Sequence, residues 1–172
     1  MGNKRVEEIA MFANREDAAR QLAKSLGTQP LQDPLVLAIP RGGVVIGAVL
    51  ADALNADLDI VLARKLRAPK QSESAIGAIS ENGCVYLDPA SEDILLYHEE
   101  HLSEERRFEL AEIARRKEAY RGVHPAIEIA GRSVIVADDG IATGSTMMAA
   151  LKAVHPQRPH EVIVAVPVGC PD

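Results

Sequence analysis

The chain has 172 residues, 47% of them apolar and 26% charged, a balance that excludes a disordered or fibrous protein and predicts a single domain over residues 1–172. Lys and Arg number 19 against 25 Asp and Glu, and the resulting net charge of −6 argues against a nucleic-acid-coating role. The longest apolar stretch, Val44 to Ala51, falls far short of the ~20 residues that cross a bilayer, so no membrane partner is expected.

The N-terminal run Met1-Gly2-Asn3-Lys4-Arg5-Val6-Glu7-Glu8 turns acidic where a secretory signal becomes apolar, and Val6 breaks the myristoylation pattern. Cys84 and Cys170 are too few for a disulfide scaffold, which predicts a reducing, cytoplasmic setting. Two Phe, three Tyr and no Trp leave little for a base-stacking platform.

In chain order, Arg15 to Leu26 (or from Asn14) reads as an amphipathic helix, with Ala18, Ala19, Leu22, Ala23 and Leu26 on one face and Gly27 as its stop. Leu35 to Ile39 is a continuous apolar run, as in a strand covered on both faces. Pro40-Arg41-Gly42-Gly43 breaks it, helical spacing resumes over Val44–Leu54, and Leu58–Leu62 is the next strand. Strand, Gly-rich turn, helix and strand make a βαβ unit, hence a parallel sheet. Ala75–Ser80 and Cys84–Leu87, joined by Glu81-Asn82-Gly83, read as a hairpin because Asn-Gly tolerates positive φ. Ser91 to Tyr120 is helical, with Ser103 before Glu104 and Glu105 as an internal cap that would divide it into two helices. Ser133–Ala137 is a third buried strand, Thr146–Val154 a helix and Val162–Val166 a last strand. The fold class is α/β: an open, mainly parallel twisted sheet flanked by helices, with a hairpin insertion.

The chemistry concentrates in Val134-Ile135-Val136-Ala137-Asp138-Asp139-Gly140-Ile141-Ala142-Thr143-Gly144-Ser145-Thr146. A buried strand delivers two adjacent carboxylates to its C-terminal end, and a loop of small and hydroxyl residues then opens into a helix. Ligands of open α/β sheets bind at such strand ends. Free amides from Thr143 to Thr146, backed by the helix dipole, favour a phosphate. The neighbouring carboxylates repel a second phosphate but accept hydrogen bonds from sugar hydroxyls and stabilise a cationic sugar. A phosphorylated ribose satisfies both halves. A P-loop fails, since Gly140 and Gly144 are one residue too close and no Lys follows. A dinucleotide fingerprint fails because Gly42, Gly43 and Gly47 are misplaced and the second strand ends in Arg64-Lys65 instead of an acid.

Asp138 to Thr146, after four apolar strand residues, resembles the phosphoribosyl-pyrophosphate (PRPP) motif of type I phosphoribosyltransferases. Ile39-Pro40-Arg41-Gly42-Gly43 resembles the family's pyrophosphate loop and Arg64-Lys65 the start of its flexible lid. Pro-Arg-Gly-Gly, Arg-Lys-Leu, the Ile-Gly-Ala hairpin and Asp-Asp-Gly-Ile-Ala-Thr-Gly are most similar to the bacterial and archaeal "predicted phosphoribosyltransferase" group. The resemblance implies transfer of a 5-phosphoribosyl group from PRPP, with Mg²⁺, to a small nitrogenous acceptor. It implies that Asp138 and Asp139 hold the ribose hydroxyls and steady the oxocarbenium-like centre, that Ala142, Thr143, Gly144, Ser145 and Thr146 cradle the 5′-phosphate, and that Gly140 and Ile141 belong to the same PRPP-binding loop. Arg41, Gly42 and Gly43 would hold the leaving pyrophosphate, Lys65 with Arg64 would neutralise its charge, and Leu66 to Ser74 would close as a lid. No residue-held metal is implied; Mg²⁺ would ride on PRPP and water.

Two departures bear on the acceptor. The position three residues after the second acid is Ala142, where hypoxanthine- and guanine-type enzymes carry Asp, which disfavours a 6-oxopurine. The chain stops at Pro171-Asp172 where relatives continue, giving the expectation of a fragment or of an open acceptor side. The alternative function is a non-catalytic PRPP-binding regulator, but no helix-turn-helix or broad basic face is visible. His98-Glu99-Glu100-His101 has the wrong His spacing for a zincin, and His155 and His160 have no acidic partners nearby. The Glu/Arg-rich stretch Ser103–Tyr120 reads as a solvated face with i,i+4 pairs, or as a homodimer contact.

Overall fold

Val36 and Leu37, adjacent on strand β1 (Leu35–Ala38), point to opposite faces of the central sheet and join different cores. Val36 packs with Ile135 and Ala137 beneath helices α1 (Arg15–Leu26) and α2 (Gly42–Leu54). Leu35 and Leu37 pack with Val134, Val136 and helix α4 (Ser145–Val154) on the other side. Every residue of β1 and of β6 (Ser133–Ala137) is buried, which explains why both read as unbroken apolar runs. The computed structural model describes residues 12–69, 71–91 and 99–170.

The main sheet has the order β2-β1-β6-β7, with β2 at Asp57–Ile60 and β7 at Glu161–Ala165, and all its pairs are parallel. Leu35 lies opposite Asp57 on one side and Val134 on the other. From β1 the chain passes through α2 to β2 at one edge; from β6 it passes through α4 to β7 at the other. The connections therefore diverge between β1 and β6, and a crevice opens at the carboxyl ends of those two strands.

A second, antiparallel sheet has the order β3-β4-β5, formed by Ala63–Ala68, Gln71–Ser80 and Val85–Leu87. It carries Leu66, Ile76 and Ile79 against Ile113 of helix α3 (Glu99–Arg121). Gly83 takes φ +79° in the β4–β5 turn, as the Asn-Gly signal predicts.

Several local expectations shift. Helix α1 starts where predicted, and Asn14 Oδ1 accepts from the Asp17 amide at 2.9 Å. Helix α2 starts two residues earlier than the apolar spacing predicts, at Gly42. Strand β2 ends at Ile60, because Val61 and Leu62 leave the main sheet to feed β3. The hairpin exists, but β4 begins at Gln71 and gains β3 as a second partner. The lid expected from Leu66 is not a solvated loop at its start: Leu66 and Ala68 are buried strand residues packed in the α3 core. Ser103 caps nothing; it lies inside α3, whose Leu102, Leu110 and Ile113 continue one apolar face across it. Residues 92–98 of the expected helix, with His98, lie outside the described residues. No helix among the described residues is long and apolar enough to cross a membrane.

Candidate active site

The crevice is bounded on one side by the turn after β1 and on the other by the loop after β6. The Pro40–Arg41 peptide is cis, and α2 starts directly behind it at Gly42. A side chain at Gly42 would overlap the Asp139 carboxylate. A Cβ at Gly43 would come within 2.7 Å of the Ala137 carbonyl oxygen and 3.0 Å of Asp138 Cα. The two glycines thus let the helix N-terminus approach the end of β6 at backbone contact. The Gly43 N–H donates to the Ile39 carbonyl at 3.1 Å, so it is already spent inside the turn.

Beyond β6, Asp138 and Asp139 stand at the mouth of the crevice. The Asp139 amide donates to Asp138 Oδ1 at 2.8 Å. Burial, with the neighbouring Asp139 charge, pushes the Asp138 carboxyl up to about 6, against the pull of the Asp139 amide and Lys65. Asp139 is held from outside: Nε of Arg15, first residue of α1, donates to Oδ2 at 2.8 Å, and Nη2 forms an ion pair with the same oxygen at 2.7 Å. The loop then runs to Gly144, whose φ of +76° turns the chain into α4. Ser145 is buried, and its hydroxyl is 3.1 Å from that of Thr143. The first intrahelical bond runs from Met148 N to the Gly144 carbonyl, which leaves the amides of Thr146 and Met147 without an acceptor inside the helix.

Two adjoining cavities meet at the carboxylates. One, of about 310 Å³, is lined by the Pro40–Gly42 turn, Arg64, Lys65, Arg67 and Arg116 as well as Asp138 and Asp139. The other, of about 200 Å³, is lined by Gly140 through Met147 with Lys65 and the same two acids. Lys65 and Thr146 line both. The cations differ in how they are held. Arg64 Nε donates to Oε2 of the fully buried Glu109, and Arg67 donates to its Oε1 at 2.9 Å. Arg116 donates to Glu112 at 2.8 Å, and hydrogen bonds from Arg115 and Arg116 hold that carboxyl down at about 2. Lys65 has no ion-pair partner among the described residues.

Of the residues singled out in the sequence, Arg41, Gly42, Arg64, Lys65, Asp138 and Asp139 line the first cavity, and Gly140 to Thr146 line the second. Gly43 lines neither, and a Cβ there would run into Ala137 at the end of β6 and Asp138 just beyond it. Arg15, Glu109 and Arg116 escape the sequence reading. Glu105, Glu109, Glu112 and Arg116 recur at spacings of four, three and four, which places them along one face of α3. That polar stripe, expected to be a solvated face, is in part a buried ion network, and its regular spacing is the signal that could have found it. Arg15 carries no motif. His101 Nε2 donates to the Arg67 carbonyl at 3.1 Å, and no group of three metal-ligating side chains occurs among the described residues.

A family model described as the phosphoribosyl transferase domain matches residues 5–172. A relative from Mycobacterium tuberculosis, provisionally named a phosphoribosyl transferase, is 37% identical over 95% of this chain. The chain spans only 37% of that relative's length. The crystal structure of TT1426 from Thermus thermophilus is 41% identical, with a TM-score of 0.75 over 93% of this chain and 76% of that one. A purine phosphoribosyltransferase from Pyrococcus horikoshii shares the fold at 13% identity, with a TM-score of 0.52 over 91% of this chain and 73% of its own.

Proposed function

The chain belongs to the phosphoribosyl transferase domain family, and from that premise we propose that it transfers the 5-phosphoribosyl group of PRPP to a small nitrogenous acceptor. The observation that carries the proposal is the carboxylate pair Asp138–Asp139, set between two cavities that each begin at a helix N-terminus. A phosphorylated sugar with a second anion at C1 needs that sequence of surfaces: amides, acids, amides.

In this reading the loop from Gly140 to Thr146 holds the 5′-phosphate, through the orphan amides of the α4 N-terminus and the Thr146 hydroxyl. Asp138 and Asp139 accept from the 2′- and 3′-hydroxyls. The pyrophosphate lies against Arg41 and Gly42, with Lys65 reaching it from β3. The C1′–O bond breaks and its electron pair leaves with the pyrophosphate, while the two carboxylates stabilise positive charge spreading over C1′ and the ring oxygen. The acceptor nitrogen then bonds to C1′ and gives up its proton. Magnesium fits as a passenger of the substrate: the cavity supplies cations and only two acids, one of them paired with Arg15, so PRPP oxygens and water would supply its ligands. When bound it would offset the charge of the departing pyrophosphate.

Calorimetric titration with PRPP tests the reading. Binding should require Mg²⁺ and be lost in the Asp138→Asn/Asp139→Asn double variant; undiminished binding in that variant, or none in the parent, would overturn it. Assay of pyrophosphate release across nucleobases and other nitrogen acceptors then separates an enzyme from a PRPP-binding regulator.

A further inference from the structure

Asp139 stands at a junction of three cavities. Besides the two already described, a third of about 440 Å³ opens on its far side, lined by Phe12, Asn14, Arg15, Ala18, Pro167 and Val168. Arg15 therefore forms, with Asp139, the wall between the third cavity and the sugar-sized space.

The contact is asymmetric. Both the Nε hydrogen bond at 2.8 Å and the Nη2 ion-pair contact at 2.7 Å go to the same oxygen, Oδ2, while Oδ1 accepts nothing among the described residues. On its other side the carboxylate lies against Gly42, where any side chain would displace it. Helix stability does not explain an arginine at this place. Position 15 is the first residue of α1, where the helix dipole favours acids, and Glu16 and Asp17 beside it obey that preference. The cap of α1 is supplied by Asn14, not by Arg15. A base is set against the local preference, exposed, and aimed at an acid 124 residues away.

Resting on the ribose-site reading above, we propose that Arg15 is a positioning residue for sugar binding: it occupies Oδ2 of Asp139, fixes the rotation of that carboxylate, and leaves Oδ1 for a ribose hydroxyl. Two adjacent carboxylates repel, and the Arg15 guanidinium offsets one of them without entering the sugar space. The pyrophosphate surface, made by Arg41, Gly42 and Lys65, does not use this contact.

Arg15→Gln and Arg15→Lys, titrated with Mg²⁺-PRPP and separately with inorganic pyrophosphate, test the proposal. We expect Arg15→Gln to weaken PRPP binding by about tenfold or more, the loss of charge-assisted hydrogen bonds. Pyrophosphate binding should change by less than about threefold, because only a screened charge is removed. Arg15→Lys should recover part of the loss, and the melting temperatures of both variants should match the parent's. PRPP affinity within about twofold of the parent in Arg15→Gln, or equal weakening of PRPP and pyrophosphate, would overturn the assignment. A parent that binds pyrophosphate but not PRPP would instead remove the ribose-site reading itself.

Discussion

The Glu109 carboxylate, wholly buried on α3, accepts a hydrogen bond from Nε of Arg64 on β3. With Arg67 on its other oxygen at 2.9 Å, this one acid fixes two of the cations that line the first cavity. Removing one member of such a network strands the others: Glu109→Leu should lose about 3–5 kcal/mol in urea denaturation, near the lower figure because Arg67 is partly exposed. Glu109→Gln, which keeps the shape and one acceptor, should lose less. A loss below about 1 kcal/mol would mean that both guanidinium groups relax into solvent.

Lys65 is the complementary case. It is exposed, unpaired among the described residues and shared by both cavities. Lys65→Ala should leave stability within about 0.5 kcal/mol of the parent while weakening both pyrophosphate and PRPP binding about tenfold. Arg64→Ala should do the reverse in emphasis, losing stability first. Parallel melting curves and titrations of the two variants distinguish the roles.

The raised Asp138 carboxyl sets a pH dependence whose sign can be worked out. Its pKa near 6 in the folded protein, above the 3.8 of a free aspartate, means that the folded state binds the proton more tightly. The associated stabilisation is complete below about pH 4 and is lost as pH rises through about 6. Asp138→Asn should therefore melt above the parent at about pH 8, with a gap that closes as pH falls toward about 4. PRPP binding by the parent should decline as pH drops through about 6, since the protonated acid no longer accepts as an anion. A pH-independent gap in melting temperature would contradict the assignment.

Gly42 and Gly47 lie on the same helix, α2, and should fail differently. A Cβ at Gly47 would stand 2.8 Å from the Ala38 Cβ and 3.3 Å from Leu58 Cδ1, in the packed seam between helix and sheet. Gly47→Ala should cost about 1–3 kcal/mol of overpacking, less the ~1 kcal/mol that alanine gains in a helix. At Gly42 the obstacle is the Asp139 side chain and not packed backbone, so a Cβ there must push the carboxylate off its Arg15 contact, and Gly42→Ala should show its larger effect in PRPP titration. Chemical denaturation and calorimetry of both variants check the contrast.

What can be read from the chain alone is whatever depends on near neighbours along it. Buried runs at Leu35–Ile39 and Ser133–Ala137 announce strands covered on both faces, because a strand with no solvent side has no polar alternation to show. The start of α1, the turn at Gly83 and the loop from Asp138 to Thr146 are legible because turns and helix N-termini are set by residues a few positions apart. The rest lies in contacts that no local preference encodes. The β3–β4 pairing turns an expected lid start into a packed strand, Glu109 reaches 45 residues back to Arg64, and Arg15 crosses 124 residues to Asp139. An arginine at the start of a helix and a glutamate in the middle of one look alike in any solvated surface. Folding gives the arginine Asp139 and the glutamate Arg64 and Arg67, by closing α1 over the end of β6 and removing water from one side of α3.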